Sequence, residues 1–307
     1  MIDLSIIIVS YNTKSLLRDC LASVKRCSSE VNLETIVVDN ASSDDSCTMV
    51  REEFPGVTLI ASSENGGFAG GNNQGIEASN GRYVMLLNPD TIVKPGAFRT
   101  LVDFMDRHAE AGYCGPHLLN ADESDQRSAR RFPTPFSVFY SMSGMAERNP
   151  ESRHTLELPV MTENSQPVSV DWLSGACLVV RQEALAHVGL LDTGFFMYFE
   201  ETDWCRRLAK AGYSGWLVPD AEIIHLGGQS VGGRRSTAPF WGNHPVYWVR
   251  SRRYYMRKHF GRSGLWLSEG LDVGLNTIIW LRHFWRKSPE SRSKTLKASA
   301  TLRHLFA

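Results

Sequence analysis

Four runs of aliphatic and β-branched residues, each stopped by a polar cluster, constrain this chain more than any other feature. They are LSIIIVSYN from Leu4, LETIVVDNASSDDS from Leu33, VTLIASS from Val57 and YVMLLNPDT from Tyr83. Their apolar residues are consecutive rather than alternating, so both faces of each strand need cover. Between the first two, TKSLLRDCLASVKRC sets Leu17, Cys20 or Leu21, and Val24 at helical spacing. Such strands, alternating with helical or loop segments, predict a parallel sheet with helices on both sides. Ligands of such sheets bind beyond the carboxyl ends of the strands, where all four polar clusters fall.

Later segments extend the pattern. Ala176–Val180 reads as a strand, Gln182–Val188 as a helix, MYFEETDWCRRLAKAGY as a helix with an acidic start, and GWLVPDAEIIHLGG as a strand. The stretch from 120 to 170 is rich in Arg, Ser, Pro and Glu, and DQRSARRFPTPFSVF within it reads as a long mobile loop. Lys plus Arg equals Asp plus Glu at 33 each, which argues against a nucleic-acid binder working by net charge. The 6 cysteines are scattered without a C-x-x-C pair, so a reducing compartment is expected and a zinc site is not. LSIIIV is short and lacks a basic leader, and no run of about 18 apolar residues predicts a membrane span.

The polar clusters hold the candidate chemistry. In NGGFAGGNNQG the glycines do not follow G-x-G-x-x-G, and no Walker lysine is present. They are expected to let backbone approach a flat or anionic ligand, with Asn72 and Asn73 as amide donors. Asp39 can accept from a ligand N–H or hydroxyl, or cap the next helix. Asp90, just behind Pro89, can belong to a turn or hold Mg2+ or Mn2+ against a diphosphate. Glu200, Glu201 and Asp203 either favour a helix dipole or raise one another's pKa to make a general base. His225 ends an apolar strand and is either structural or the second ligand of a metal bound by a distant Asp.

In order, SIIIVSYN, IVVDNASSDDS, NGGFAGGNNQG, LLNPDT, WLSGACLVVRQEAL, GFFMYFEETDWCRRLAKAGY and IIHLGGQS resemble glycosyltransferase family 2, inverting nucleotide-sugar enzymes of GT-A fold. The resemblance covers Leu4 to Ser230 and is strongest to the rhamnosyltransferase-like branch of bacterial cell-surface polysaccharide synthesis. It implies an α/β fold with a Rossmann-like, mixed, mainly parallel sheet flanked by helices, and a C-terminal helical extension. Residues 1–235 would form the GT-A domain, with 1–100 the nucleotide-sugar-binding half and 101–235 the acceptor and catalytic half. Residues 236–307 would be a basic, amphipathic helical region.

Carried over by position, the resemblance makes Ser10, Tyr11 and Asn12 the first donor-nucleotide loop. Asp39 becomes a partner of the base, with Asn40 beside it, and Gly67 and Asn72 lie near nucleotide and sugar. Asn88 and Asp90 take the first and last positions of the D-x-D motif, so Asp90 and His225 would hold Mg2+ or Mn2+. Glu201 would be the catalytic base, accompanied by Glu200 and Asp203. Asn88 stands where the family commonly has an acid, and Glu201 where Asp is commoner; the extra methylene moves the carboxylate by about one bond length.

The implied reaction is a single displacement using dTDP-L-rhamnose, or alternatively a UDP-hexose or UDP-galactofuranose. The acceptor would be a saccharide or a polyprenyl-linked glycan, and the setting the cytoplasm, extending to peripheral contact with the inner face of the plasma membrane. A sugar nucleotidyltransferase would need a glycine-rich basic loop where this chain has SYNTKS. A non-catalytic carbohydrate-binding protein would lack metal-dependent donor binding.

From Arg250 onward thirteen Lys and Arg face three acids, Glu269, Asp272 and Glu290. In LWLSEGLDVGLNTIIWLRHFWRK, Glu269, Asp272, Asn276 and His283 recur at helical spacing against Leu267, Leu271, Leu275, Ile278 and Trp285. An amphipathic helix with basic flanks suits an anionic membrane surface. Packing on the protein's own core or on the partner of a homodimer is the alternative.

Overall fold

Ile6, Ile7 and Ile8 are all closed to solvent in β1 (Leu4–Ser10), because the strand runs through the middle of a sheet with helices on both faces. The computed structural model describes residues 1–158, 166–227 and 245–284; Gly228, Gln229, Ser230 and Trp285 lie outside the described residues. The chain continues as α1 (Lys14–Cys27), β2 (Leu33–Asp39), α2 (Ser46–Glu53), β3 (Thr58–Ala61), α3 (Gly67–Glu77), β4 (Tyr83–Leu87), β5 (Thr91–Val93) and α4 (Ala97–Arg107). Next come β6 (Ala111–Leu119), β7 (Ala129–Arg130), α5 (Pro135–Met142), α6 (Met145–Arg148), β8 (Val168–Val170) and β9 (Trp172–Leu173). The last elements are β10 (Cys177–Arg181), α7 (Gln182–Val188), α8 (Glu200–Lys210), β11 (Ser214–His225) and α9 (Pro245–Phe284).

The sheet order is β3-β2-β1-β4-β10-β6-β11-β5, with β8 also on β11. The four strands from β3 to β4 are parallel, as their continuous apolar runs require. Antiparallel pairing enters where β10 inserts between β4 and β6, so the sheet is mixed. One core layer joins Leu17, Leu21 and Val24 of α1 with Phe98, Leu101 and Met105 of α4. The other sets Ala69 and Ile76 of α3 and Trp204 and Leu208 of α8 against the opposite face.

The expected long mobile loop through 125–139 is corrected. Thr134 and Ser137 form a reciprocal capping box, with Ser137 N donating to Thr134 Oγ1 at 3.1 Å and Thr134 N to Ser137 Oγ at 2.8 Å. Pro135 occupies the first turn, where its missing N–H is harmless, and α5 follows.

The chain divides into two compact units, residues 1–132 with 157–235, and residues 133–156 with 236–307. In the second, Gly261 (φ 70°) breaks α9 into two helical halves. The halves fold back on each other, since Arg253 Nε reaches Glu269 Oε1 at 2.7 Å and Arg252 pairs with Asp272.

Candidate active site

Parallel pairing of β1 with β2 sets Ser10 and Asp39 side by side at the carboxyl ends. Ser10 is buried against Thr13, with 2.8 Å between their hydroxyls. Asn12 ties the loop after β1 to the loop after β2: its N donates to Ser42 Oγ at 2.9 Å and its Oδ1 accepts from Ser43 N at 2.8 Å. Between them Tyr11 leaves its ring exposed. Asp39 Oδ1 accepts from Ser42 N at 2.8 Å, while its Oδ2 is buried with no hydrogen-bond partner among the described residues. It does not cap α2, whose N-cap is Asp45 without a side-chain cap; Asp44 just before it accepts from Ser46 N at 3.2 Å and from Lys14 N at 2.8 Å. A carboxylate oxygen placed like Asp39 Oδ2 can accept from a ligand N–H or hydroxyl.

The glycine-rich run forms helix α3, and the expected ligand donor Asn73 is corrected: both ends of its amide are taken by the Leu191 backbone. A Cβ on Gly71 would lie 2.6 Å from Val9 Cγ1, and one on Gly75 2.4 Å from Ile7 Cγ2, so these glycines let α3 sit close on β1. Gly67 has φ +71°, and a Cβ there would lie 2.3 Å from Phe196 O. Asn73 brackets Leu191, donating to its O at 2.9 Å and accepting from its N at 3.0 Å. Asn40 Nδ2 donates to Gly67 O and Asn72 Nδ2 to Phe68 O, both at 2.9 Å. The Oδ1 of each is buried without a partner among the described residues. Helix α3 therefore grips the segment from Leu191 to Phe196 that leads into α8.

Asn88 and Asp90 follow β4. His225, at the end of β11, brings Nε2 to 3.4 Å from Asp90 Oδ1 and 3.5 Å from Asn88 Nδ2. Its Nδ1 lies 2.6 Å from Gln126 Oε1. Gln126 Nε2 donates to His225 O at 3.1 Å and to Asn120 Oδ1 at 3.0 Å, which makes Oε1 the acceptor. The network thus puts the imidazole proton on Nδ1 and turns the Nε2 lone pair toward Asp90. An oxygen and a nitrogen ligand so placed fit a divalent cation whose shell phosphate and water complete. Among the described residues no group of three or more His, Cys, Asp and Glu is arranged for a metal.

The acids open α8. Tyr198 (φ 69°) and Phe199 (φ 70°) are consecutive left-handed residues, a strained entry that aims the first helical turn. Glu200 and Glu201 each bury an Oε2 without a hydrogen-bond partner among the described residues. Burial pushes the Glu201 carboxyl above the usual range, while the Arg130 guanidinium and nearby backbone amides pull it down. Burial pushes Glu200 well above its usual range, and the Glu201 charge adds to the effect. Asp203 stands apart: Arg207 Nε meets its Oδ2 at 2.8 Å, and Arg207 also donates to the carbonyls of Val188 and Leu190. Its place in the acidic cluster is corrected to a structural ion pair.

The turn before β10 joins the two stations. Asn88 N donates to Ala176 O at 2.9 Å. A Cβ on the adjacent Gly175 would lie 3.0 Å from Phe68 Cζ and 3.7 Å from Glu201 Cβ. Residue patterns alone missed Gln126, Gly175 and Arg130. Arg130 is half-buried, its guanidinium 5.3 Å from the Trp172 ring centroid. The first two have no local signal, and the Arg-rich SARRF stretch is the only hint of the third.

The model of the family described as Glycosyl transferase family 2 matches residues 5–186. N-acetylglucosaminyl-diphospho-decaprenol L-rhamnosyltransferase of Mycobacterium tuberculosis is 28% identical over 285 residues, covering 83% of this chain and 92% of the relative. Rhamnosyltransferase WbbL of Escherichia coli is 32% identical over 149 residues, 47% of this chain and 52% of the relative. Among solved structures, GalNAc-T7 with UDP, GalNAc and Mn2+ shares the fold at a TM-score of 0.60 and 14% identity. That likeness covers 86% of this chain, which spans about half (51%) of the solved one.

Proposed function

Because this chain belongs to glycosyl transferase family 2, we propose that it moves L-rhamnose from dTDP-L-rhamnose, with inversion, onto a saccharide or polyprenyl-linked glycan during cell-surface polysaccharide synthesis. It is a glycosyltransferase, and that membership sets aside the nucleotidyltransferase alternative. The rhamnosyl donor and the lipid-linked acceptor draw support from the names of its relatives.

The observation that carries the reading is the pair of stations joined through one turn: Asp90 with His225 on one side, and the buried Glu200 with the half-buried Glu201 on the other. In our assignment Asp39 and Asn40 accept from the nucleotide, Tyr11 covers it, and Ser10 and Asn12 shape the loop that holds it. Gly67, Asn72 and Asn88 border the donor. Asp90 and His225 would hold Mg2+ or Mn2+, a role supported by the Mn2+ of the solved neighbour. When bound, such a cation offsets the charge of the departing diphosphate.

Glu201 takes the proton of the acceptor hydroxyl, whose oxygen bonds to the anomeric carbon as the bond to the diphosphate breaks on the opposite face. Glu200 stands beside the base, its carboxyl pushed well above the usual range by burial and by the Glu201 charge. Asp39, Asp90 and the turn at Gly175 hold donor and acceptor in line.

A donor panel tests this, comparing dTDP-rhamnose, UDP-hexoses, UDP-galactofuranose and GDP-mannose for Mn2+-dependent hydrolysis. dTDP-rhamnose is expected to lead. Preference for a UDP-sugar would replace the donor, and no metal-dependent turnover of any would overturn the assignment.

A further inference from the structure

The second half of α9, from Arg262 to Phe284, is amphipathic in the direction opposite to a soluble helix. Ser268, Asp272 and Asn276 are buried, and both acids of this half are ion-paired inward, Asp272 to Arg252 and Glu269 to Arg253. The outward side exposes Trp266 (70%), Leu267 (56%), Ile278 (63%), Leu281 (57%) and Phe284 (49%), gathered by helical spacing. A helix covered by its own core would present the reverse.

Charge selects what covers this face. Arg262 and Arg282 stand exposed at its two ends, and Arg257 and Lys258 are exposed just before it. The sequence beyond Phe284 adds six more Lys and Arg against Glu290. An apolar stripe between cations, with no outward acid, complements anionic headgroups above hydrocarbon. Against a second copy of the same face the cations would repel. Among the described residues no helix is long and apolar enough to cross a membrane.

We propose that this half-helix lies flat in the interface of an anionic bilayer, with Trp266, Leu267, Ile278, Leu281 and Phe284 in the acyl boundary. The proposal is independent of the sugar chemistry, and its readout needs no turnover.

Flotation of the full chain with vesicles of phosphatidylcholine alone, or with about 30% phosphatidylglycerol, decides it. The wild type is expected to float with the anionic vesicles and to be released by high salt. Trp266→Ser combined with Ile278→Ser is expected to cut flotation about tenfold or more, with helix content by circular dichroism unchanged. Failure to float, or equal flotation with neutral vesicles, would overturn the proposal. So would a dimer in sedimentation, abolished by the double variant, that binds no vesicle; a second copy would then cover the face.

Discussion

His225 Nε2 stands 3.4 Å from Asp90 Oδ1 because Gln126, 99 residues earlier in the chain, takes the opposite ring nitrogen at 2.6 Å. Partners of this kind set the tautomer and angle of a metal ligand. Gln126→Ala is expected to weaken Mn2+ binding, measured by titration calorimetry, about 10–100-fold. Gln126→Glu keeps an oxygen acceptor for Nδ1 and should recover most of the affinity. Equal affinity in all three proteins would leave Gln126 with no orienting role.

Glu201 needs to be ionised to accept a proton, yet burial raises its pKa. Activity should therefore rise with pH through a range above that of ordinary carboxylates. Glu201→Gln should lower kcat about 10²–10⁴-fold with donor binding retained. Arg130 pulls the Glu201 pKa down, so Arg130→Gln should move the acid limb of the kcat/KM profile to higher pH. An unmoved limb would detach Arg130 from the base.

Glu200 carries the opposite consequence, in stability. Its pKa is raised on folding, so the folded chain binds the proton more tightly than the unfolded chain does. The stability this contributes is full below the unfolded carboxyl pKa of about 4.3 and is lost as pH rises through the folded value. Glu200→Gln stays neutral throughout. Its Tm relative to wild type should thus be higher at pH 8 than at pH 5, and a pH-independent difference would contradict the assignment.

The strand ends at Asp39, Asp90 and His225 were legible in sequence because polar residues interrupt continuous apolar runs. Helix α7 emerged with its observed bounds for a similar reason, its pattern being local. Long-range contacts were not legible. Gln126 lies in a stretch with no periodicity, and only the pairing of β6 with β11 brings it to His225. Asp203 looked like a third member of the acidic cluster, although helical spacing already offered Arg207 as its partner four residues on. The outward apolar face of α9 was half legible: the period was visible, but which side is buried depends on Arg252 and Arg253 across the bend at Gly261.

The glycines of α3 separate a packing role from mere flexibility. Gly67 combines φ +71° with a Cβ position 2.3 Å from Phe196 O, whereas a Cβ on Gly70 meets nothing within 4 Å. Gly67→Ala must either adopt a left-handed alanine, at about 1–3 kcal/mol, or displace Phe196 and with it the strained entry to Glu200 and Glu201. Gly70→Ala removes a flexible residue from the same helix and should stabilise it by about 0.5–1 kcal/mol. Urea denaturation should show shifts of opposite sign, and Gly67→Ala should also lose turnover. Equal shifts would show that the contact between α3 and Phe196 does not hold the acidic turn in place.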